Sequence, residues 1–404
     1  MKKGIHITVT VLFLMLIFGF GIAFWILPDS DFSPEENRPL EPFPNVTAER
    51  LLEKKVTNGL IQYYSDQFPL RNGWIRIHTL GELVSFRGES GGILLGKNGQ
   101  LAARRFDARF PGGVVLTDTD QYSEDHVREG LSALVALEQT LEREGIPLCV
   151  LLPPRTIDVT IHDFSYPSEG SDTLNDTIHT VLAEGGVNSV ELLSDLRERH
   201  DKGEYVYYRT DHHWTTRGAY IAYTAVMKAW GMEKEILPES HYTVRNVPDF
   251  YGTAHSFSGM FFVPPDTLEI WEAPDDSRYT VCKENNAGEE LPLEGMESGF
   301  ISESYLSEKD KYGAFLGGTH SVLHIRDKEA AGKGESRPRL LLARDSFANS
   351  MVPFLARHFD ICMVNLSGGK TNLSELCEQY DCQRVLVVCN WENLITSDCV
   401  AAIE

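Results

Sequence analysis

Basic residues are scarce in this chain. Its 404 residues include 37 Lys and Arg against 59 Asp and Glu, which gives a formal net charge of −22. Binding to a nucleic-acid backbone needs clustered Lys and Arg, so the composition excludes a nucleic-acid partner. The same charge indicates that the folded part of the chain does not adhere to anionic lipid.

The cysteine spacing of a zinc knuckle is also missing. None of the seven cysteines stands in a Cys-x-x-Cys pair, so we predict no structural zinc site and no cofactor. An odd number of cysteines in an exported domain leaves at least one thiol unpaired. Cys377 and Cys382 are close enough in sequence to close a small loop, and the sequence alone leaves their pairing open.

Residues 7–27 contain no charged residue and form an apolar run long enough to span a membrane. Lys2 and Lys3 precede the run and acidic residues follow it. This bias predicts a cytoplasmic tip at 1–6, a transmembrane anchor at 7–27, and an extracytoplasmic remainder that begins with an extended stalk at 28–50. A cleaved signal peptide is the alternative, but the missing small-residue cleavage site favours an uncleaved signal-anchor.

Short apolar strands alternate with helical patterns over much of the remaining chain. Helical periodicity at 124–145 is followed by a buried run at 147–152. This alternation predicts an α/β fold of three layers, α/β/α, with a mostly parallel sheet. In such sheets the chemistry lies at the carboxyl ends of the strands. Further strands are predicted at 205–208, 339–343, 361–364 and 384–389, and further helices at 172–184, 191–199, after Ser346 and at 372–380.

Three segments add to this pattern. Residues 48–64 are predicted to be helical, and Asn98-Gly99 predicts a hairpin turn. Residues 240–338 combine short β-prone pieces with Gly, Pro and acidic loops, and we interpret them as a β-rich insertion that forms a flap beside the site. Residues 51–404 are thus predicted to be one extracytoplasmic domain that carries this insertion.

Asp211, His213 and Ser346 are the parts of a Ser-His-Asp catalytic triad. Serine needs a base within hydrogen-bond reach, and the base needs a carboxylate that fixes its tautomer. In an extended segment, Asp211 and His213 leave the backbone on one side and His212 on the other. Because the histidines would point apart, we predict no metal site. Helix capping is the structural alternative, with Thr215 and Ser346 as the caps.

An oxyanion hole would complete such a centre. The backbone N–H of Ser346 is the first candidate, because N–H groups and the helix dipole favour negative charge there. The side-chain donor stays open among Asn349, Asn365 and Asn390, with Arg155 as a further possibility.

Substrate-binding candidates lie next to these motifs. Arg155, which follows two prolines, either binds a substrate carboxylate or anchors its loop. His212 either packs beside the base or touches substrate. Trp214 either stacks on a sugar ring or packs beneath the histidine loop. Asp345 is expected to hold the serine loop.

The sequences Asp211-His212-His213-Trp214 and Arg344-Asp345-Ser346-Phe347 together resemble the signature of the bacterial DHHW proteins, relatives of the alginate O-acetylation proteins of the SGNH-hydrolase-like superfamily. The resemblance implies an SGNH-hydrolase-like fold and a basic or amide donor after the strand near Val364, where this chain has Asn365 and no Arg. Arg344 stands where the superfamily pattern has Gly. Shorter matching pieces lie at 36–38, 66–71 and 153–155.

The resemblance implies a membrane-anchored O-acetyltransferase that acts on a cell-surface polysaccharide through this triad, with a multi-pass membrane acyltransferase as the supplier of acetyl groups. Water and a sugar hydroxyl attack the same acyl-enzyme, so a carbohydrate esterase (deacetylase) is the alternative enzyme. A non-catalytic envelope protein that binds glycans or acts as a scaffold is the alternative of another class.

Overall fold

The computed structural model describes residues 2–52, 54–85, 88–103, 124–165, 172–296, 299–366, 371–390, 393 and 403. Packing divides the chain into two units. The first comprises Met1–Gly91 and Ser256–Phe262, and the second comprises Gly92–His255 and Val263–Glu404.

The first unit is mainly helical. Its first helix, α1 (Lys2–Ile26), contains the segment Gly4–Ile26, which among the described residues is the one helical stretch long and apolar enough to cross a membrane. The other elements of the first unit are β1 (Phe32–Ser33), β2 (Arg38–Pro39), α2 (Ala48–Leu52), α3 (Lys55–Asp66), α4 (Arg71–Val84) and β3 (Glu89–Ser90).

The first part of the predicted stalk is folded against α3. The Arg38 guanidinium donates to both oxygens of Asp66, at 2.9 and 2.6 Å, and the backbone N–H of Glu41 donates to the same carboxylate at 2.9 Å. The Asp66 side chain is fully buried. A buried carboxylate needs such partners because its charge is otherwise poorly solvated, so these bonds tie residues 38–41 to α3.

The second unit is built from strands and helices that alternate along the chain. Its described strands are β4 (Ile93–Leu95), β5 (Leu101–Ala103), β6 (Leu148–Leu151), β7 (Ser189–Val190), β8 (Thr243–Phe250), β9 (Asp266–Glu272), β10 (Tyr279–Glu284), β11 (Glu290–Pro292), β12 (Val322–Asp327), β13 (Arg339–Arg344), β14 (Asp360–Asn365) and β15 (Arg384–Val388). Its described helices are α5 (Glu124–Glu144), α6 (Thr156–Val159), α7 (Asp172–Glu184), α8 (Leu193–Asp201), α9 (Thr216–Ala229), α10 (Thr253–Ser258, which ends in the first unit), α11 (Lys328–Lys333), α12 (Val352–Leu355) and α13 (Leu373–Tyr380).

Eight strands form the central sheet, in the order β11-β10-β12-β14-β13-β15-β6-β7. The run from β14 to β7 is parallel, and β12, β10 and β11 extend it with antiparallel pairs. Strand β13 lies between β14 and β15, with Arg344 opposite Asn365 on one side and Val388 on the other. The predicted α/β fold with a mostly parallel sheet is confirmed.

Each face of the sheet carries its own hydrophobic core, as a three-layer fold requires. Leu340 and Leu342 of β13 pack on one face, with residues of α8, α9 and α12. Leu341 and Ala343 of the same strand pack on the other face, with residues of α5, α7 and α13. This alternation follows from the two-residue period of a strand and makes β13 a buried central strand.

Several predicted elements differ in detail. Residues 205–208 form no strand of the sheet; Tyr207 makes an isolated bridge with Trp214. After Ser346 the chain makes a 3₁₀ turn, Ser346–Ser350, and only then the four-residue α12. Only part of the expected flap at 240–338 is separate from the central sheet. Strands β8 and β9 form their own two-stranded sheet, whereas β12 pairs with the β14 edge of the central sheet and β10 and β11 continue the sheet beyond β12.

The structure agrees with the predicted hairpin turn, and it answers the open question about the pairing of Cys377 with Cys382. Strands β4 and β5 pair antiparallel around the predicted turn, where Asn98 and Gly99 both have positive φ. Cys377 and Cys382 are both free thiols and are buried.

Candidate active site

Ser346 lies at the carboxyl end of the central strand β13. It is partly exposed, whereas the residues on either side of it are buried. Asp345, not Ser346, caps the turn: its Oδ1 accepts from the N–H of Phe347 at 3.0 Å. The other oxygen accepts from the Asn390 N–H at 2.7 Å and from Asn393 Nδ2 at 3.2 Å. Asp345 therefore holds the serine loop, and the Ser346 hydroxyl is not used as a cap.

The loop that carries Asp211 and His213 is closed at its base. Tyr208 N–H donates to the His213 carbonyl at 3.2 Å, and Thr215 N–H donates to the Val206 carbonyl at 2.9 Å. Thr215 then caps α9, because its hydroxyl oxygen accepts from the N–H of Gly218 at 3.2 Å. The predicted capping role thus falls to Thr215, and the Asp211 carboxylate is left for His213.

The structure brings the three predicted catalytic side chains together. His213 Nε2 lies 2.7 Å from the Ser346 hydroxyl oxygen, and His213 Nδ1 lies 2.5 Å from Asp211 Oδ1. The contact with Ser346 has the length of an ordinary hydrogen bond, and the contact with Asp211 is shorter than the usual N–H···O range. The imidazole bridges a carboxylate and a serine hydroxyl, which is the order of contacts that a general base needs.

Asp211 is buried and fully hydrogen-bonded. Its Oδ1 also accepts from the His213 N–H at 2.9 Å, and its Oδ2 accepts from the N–H and hydroxyl of Thr253, at 2.9 and 3.1 Å. Burial alone would raise the pKa of Asp211, but the neighbouring imidazoles and these donors outweigh burial, and the pKa lies below its usual value. The carboxylate therefore stays charged at neutral pH.

Gly252 leaves room for this carboxylate. A Cβ built on Gly252 would lie 2.2 Å from Asp211 Oδ2 and 2.3 Å from Asp211 Cβ. Such distances are far inside van der Waals contact, so only glycine fits beside Asp211 in this arrangement. No sequence motif marked Gly252, because the close approach is between residues 41 positions apart.

His212 does not face away from His213, and that part of the sequence interpretation is wrong. The two ring centroids are 3.8 Å apart. Residues 210–213 form successive bends rather than an extended strand, so the alternation of side chains does not apply. His212 Nδ1 lies 2.6 Å from the Thr253 hydroxyl. Burial lowers the pKa of His212, and the neighbouring His213 acts in the same direction.

Tyr312 is a further site residue that sequence reasoning missed. Its ring stacks on His213 with centroids 3.8 Å apart and planes 9° apart. Its hydroxyl lies 3.1 Å from the Ser346 carbonyl oxygen and 3.1 Å from Ser350 Oγ. Phe347 contacts His213 with ring centroids 4.9 Å apart. The only available signal was the position of Tyr312 in an aromatic-rich insertion, which does not single it out.

Trp214 supports the serine turn from beneath. It is fully buried, and its Nε1–H lies 3.0 Å from the Phe347 carbonyl oxygen and 3.1 Å from Ser350 Oγ. A buried indole has no face for a sugar ring. Of the two sequence interpretations, the structure fits packing beneath the histidine loop and not substrate stacking.

The amide and arginine candidates lie in different settings. Arg155 forms a two-bond ion pair with Asp158 at 2.7 and 2.9 Å, which fits the loop-anchoring alternative. Asn390 Nδ2 donates to the Pro153 carbonyl at 3.0 Å. Asn349 is buried, and its Oδ1 lacks a hydrogen-bond partner within the described structure. Asn365 ends β14. The oxyanion donor stays a prediction among Ser346 N–H and these amides.

Arg344, at the position of the superfamily glycine, is almost fully buried. Its Nη2 donates to the His320 carbonyl at 3.4 Å, which is long for such a bond. Burial lowers the pKa of Arg344 to about 10, so the side chain is charged at neutral pH. Strand β13 stays paired with both neighbours up to Arg344, which is why the strand accepts a long side chain where the pattern has glycine.

One group of side chains could in principle hold a metal ion. Asp211, His212 and His213 each offer one ligand atom, and these atoms lie within 4.8 Å of one another. Asp211 and His213 are already joined to each other, and His213 Nε2 is joined to Ser346. These bonds favour the triad over a metal site for the same side chains.

Comparison with known proteins shows which families the chain is similar to. Residues 110–267 match the family described as SGNH hydrolase-like domain, acetyltransferase AlgX; the match includes the Asp-His-His segment and ends before Ser346. The probable alginate O-acetylase AlgJ of Pseudomonas putida is 22% identical over 87% of this chain and 87% of its own length.

Two solved structures share the fold. Bacillus cereus PatB1 with a sulfonyl adduct superposes with a TM-score of 0.59 and 17% identity, over 77% of this chain and 100% of that chain. A DHHW family protein from Eubacterium siraeum superposes with a TM-score of 0.56 and 19% identity, over 77% of this chain and 98% of that chain. The chain is therefore similar in sequence to the alginate O-acetylation proteins, and it has an SGNH-hydrolase-like fold that it shares with PatB1 and with a DHHW family protein.

Proposed function

We propose that this protein transfers acetyl groups to a cell-surface polysaccharide, with Ser346 as nucleophile, His213 as general base and Asp211 as the group that orients the imidazole. The observation that carries the proposal is the unbroken hydrogen-bonded path from Asp211 through His213 to Ser346. Ser346 is the partly exposed residue in a buried turn, so it is the point at which an acyl donor reaches the triad. Relatives described as alginate O-acetylases support an O-acetyltransferase-like role.

The reaction begins when Ser346 Oγ attacks the carbonyl carbon of an acyl donor and its proton moves to His213 Nε2. The carbonyl oxygen becomes an oxyanion as the new C–O bond forms. The bond between the acyl carbon and the leaving group then breaks, and the leaving group takes the proton from His213 Nε2. An acyl ester remains on Ser346. A sugar hydroxyl then gives its proton to Nε2, attacks the acyl carbon and releases Ser346 with that proton.

Asp211 and Tyr312 contribute by holding the imidazole. The Asp211 carboxylate fixes the proton on Nδ1 and stabilises the imidazolium that forms during each transfer. Tyr312 covers one face of the ring, which limits its rotation away from Ser346. The developing oxyanion would be stabilised by the Ser346 N–H together with an amide from Asn349, Asn365 or Asn390.

Helix α1 supports the proposed location of the protein at the membrane. Gly4–Ile26 has the length and composition of a membrane span, and Lys2 and Lys3 precede it. A signal-anchor of this kind would keep the N-terminus in the cytoplasm and the second unit outside. In that position the enzyme meets the surface polysaccharide, and its acetyl groups would come from a multi-pass membrane acyltransferase.

The test is capture of the acyl-enzyme in the full-length protein. Incubation with an acetylated chromogenic ester, followed by acid quenching and mass spectrometry of peptides, should show one acetyl group on Ser346. Ser346→Ala should abolish the adduct and lower turnover by about 10⁴-fold or more. Equal turnover in the Ser346→Ala variant would remove Ser346 from the mechanism, and no acyl-enzyme in folded wild type would favour a non-catalytic envelope protein.

A second measurement separates transfer from hydrolysis. The acyl-enzyme partitions between water and a sugar hydroxyl, so added oligosaccharide should speed release of the acyl group and yield an acetylated sugar. Release that is indifferent to any oligosaccharide acceptor, with only acetate formed, would identify a carbohydrate esterase instead.

A further inference from the structure

Helix α4 carries an apolar stripe that the first unit leaves uncovered. On a helical projection at 100° per residue the stripe residues fall within one continuous face, because they recur at intervals of three or four. The most exposed of them, Leu70 and Val84, are each 75% exposed. The apolar stripe consists of Trp74, Ile77, Leu80 and Val84 of α4 together with Leu70, the residue that directly precedes the helix.

The opposite face of α4 packs on its own unit. Thr79 is buried, and its hydroxyl donates to the Ser258 carbonyl at 3.4 Å and accepts from the Ser90 hydroxyl at 3.2 Å. Ile75 lies against Gly259, where a Cβ would come within 3.0 Å of its side chain. The helix is thus fixed with its polar contacts inward and its apolar stripe outward, the reverse of an ordinary surface helix.

Aromatic contacts join this region to the membrane-spanning helix. The Phe20 ring lies 5.6 Å from the rings of both Phe68 and Trp74, and the Phe24 ring lies 5.0 Å from that of Tyr64. Phe20 stands six residues before Ile26, the end of the apolar segment. At 1.5 Å per residue this places the Phe20 contact about 9 Å inside that end.

Because Trp74 of α4 contacts α1 about 9 Å inside the end of the apolar segment, α4 must lie at a similar depth relative to the membrane surface. Amphipathic helices that lie in a membrane interface bury their apolar face about 5–10 Å into the boundary between headgroups and acyl chains, and Trp and Tyr are enriched at that level. The apolar stripe is therefore continuous with the surface that α1 presents to lipid, and it extends about 21 Å along α4.

The cations beside the apolar stripe are already paired. Arg71 lies 2.8 Å from Glu36, and Arg76 lies 2.8 Å from Glu35 and over the ring of Phe261. They are therefore engaged by carboxylates rather than available for anionic headgroups. Attachment through α4 must then come from apolar burial and should be independent of lipid charge.

We propose that α4 is an interfacial helix that lies in the outer leaflet beside α1, with its apolar stripe in contact with lipid acyl chains. The proposal rests on α1 acting as the anchor that the proposed function requires. Two attachments would hold the first unit at the membrane surface, where an acyl donor delivered across the membrane becomes available.

The test uses tryptophan fluorescence of the full-length chain in vesicles of zwitterionic phosphatidylcholine, with no other protein present. Acyl-chain bromines quench only tryptophans that reach the acyl region. Replacing ordinary lipid with brominated lipid should quench the wild type, and Trp74→Phe should remove part of that quenching. Trp25→Phe reports on the anchor, and Trp230→Phe, in the second unit, is the matched control that should remove none.

The outcomes separate this proposal from the anchor itself. Reduced quenching in Trp25→Phe with unchanged quenching in Trp74→Phe would leave the anchor in place and overturn the interfacial helix, and α4 would then suit a protein partner. Unchanged quenching in both variants would overturn the anchor as well.

A charge placed in the apolar stripe gives an independent readout. Ile77→Glu should lower the Trp74 contribution to quenching and leave the Trp25 contribution, whereas Ser336→Glu, at an exposed loop position of the second unit, should change neither. If brominated lipid quenched Trp74 equally well in the Ile77→Glu variant, lipid contact along the apolar stripe would be contradicted.

Discussion

Tyr312 lies flat on His213, with ring centroids 3.8 Å apart and planes 9° apart, while its hydroxyl reaches the carbonyl oxygen of Ser346 at 3.1 Å. One side chain thus contacts both the candidate base and the candidate nucleophile. Because the imidazole must keep its Nε2 toward Ser346 during each proton transfer, we expect this contact to matter for rate rather than for substrate binding.

Substitution of Tyr312 separates stacking from hydrogen bonding. Tyr312→Phe keeps the ring and should lower kcat only a few-fold, with a cost to stability of about 1 kcal/mol. Tyr312→Leu removes the flat contact and should lower kcat by about ten- to a hundredfold, since small misplacements of a catalytic group are costly. KM for a chromogenic ester should stay nearly constant. Equal kcat in both variants would show that stacking does not position His213.

The two histidines of the motif should behave differently. His213 bonds both Asp211 and Ser346, whereas His212 Nδ1 bonds the Thr253 hydroxyl. His213→Ala should therefore lose activity to the extent of Ser346→Ala, about 10⁴-fold, while His212→Ala should keep most of it. Ester turnover of the two purified variants is the measurement. A larger loss in His212→Ala would make His212 the base.

The sequence motifs were sufficient to predict the candidate triad. Asp211 and His213 are reactive residue types two positions apart, and Ser346 follows the end of an apolar strand. His213 Nε2 lies beside the Ser346 hydroxyl, but not for the reason that the sequence suggested. An extended strand was assumed, while the segment bends at 210–213. The pairing was set instead by Thr253 and the closed base of the loop, which sequence spacing does not show.

The remaining parts of the site depend on contacts distant in sequence. Tyr312 reaches His213 from the insertion, and Gly252 meets Asp211 from 41 residues away. The mixture of short β-prone pieces with Gly, Pro and acidic loops suggests a separate flap, yet β12 pairs with the β14 edge of the sheet and β10 and β11 continue it. Strands β13, β14 and β15 were predictable because they are buried on both faces and therefore contain continuous apolar runs.

A second carboxyl group near the triad should make stability depend on pH. Burial raises the pKa of Asp310 to about 6, the charge on Asp211 acts in the same direction, and His213 opposes it. The folded state therefore holds this proton more tightly than the unfolded chain does. The contribution of Asp310 to stability is fully present below about pH 4 and is lost as the pH rises through about 6.

Asp310→Asn tests this dependence. Asn keeps an oxygen to accept from the N–H of Tyr312, as Asp310 does at 3.1 Å, and it cannot ionise. The free energy of unfolding should be close to that of wild type near pH 4 and exceed it by roughly 3 kcal/mol near pH 7.5, since each unit of raised pKa corresponds to about 1.4 kcal/mol. Urea unfolding at both values is the measurement, with Asp176→Asn, an exposed position, as the control. A variant less stable than wild type near pH 7.5 would contradict the raised pKa.

Gly252 offers the sharpest steric test of the triad. Because an added Cβ would come within 2.2–2.5 Å of Asp211 Oδ2, Cβ and Cγ, Gly252→Ala must displace that carboxylate or the loop of Thr253. Displacement weakens the bond to His213 Nδ1, so turnover should fall by about a hundredfold, while overpacking costs stability by about 1–3 kcal/mol. Gly332→Ala is the matched control: no atom lies within 4 Å of its added Cβ, and alanine is favoured over glycine within a helix, so activity should be unchanged and stability equal or higher. Ester turnover and urea unfolding of both variants are the measurements. A Gly252→Ala protein that is folded and fully active would show that Asp211 need not occupy the position described.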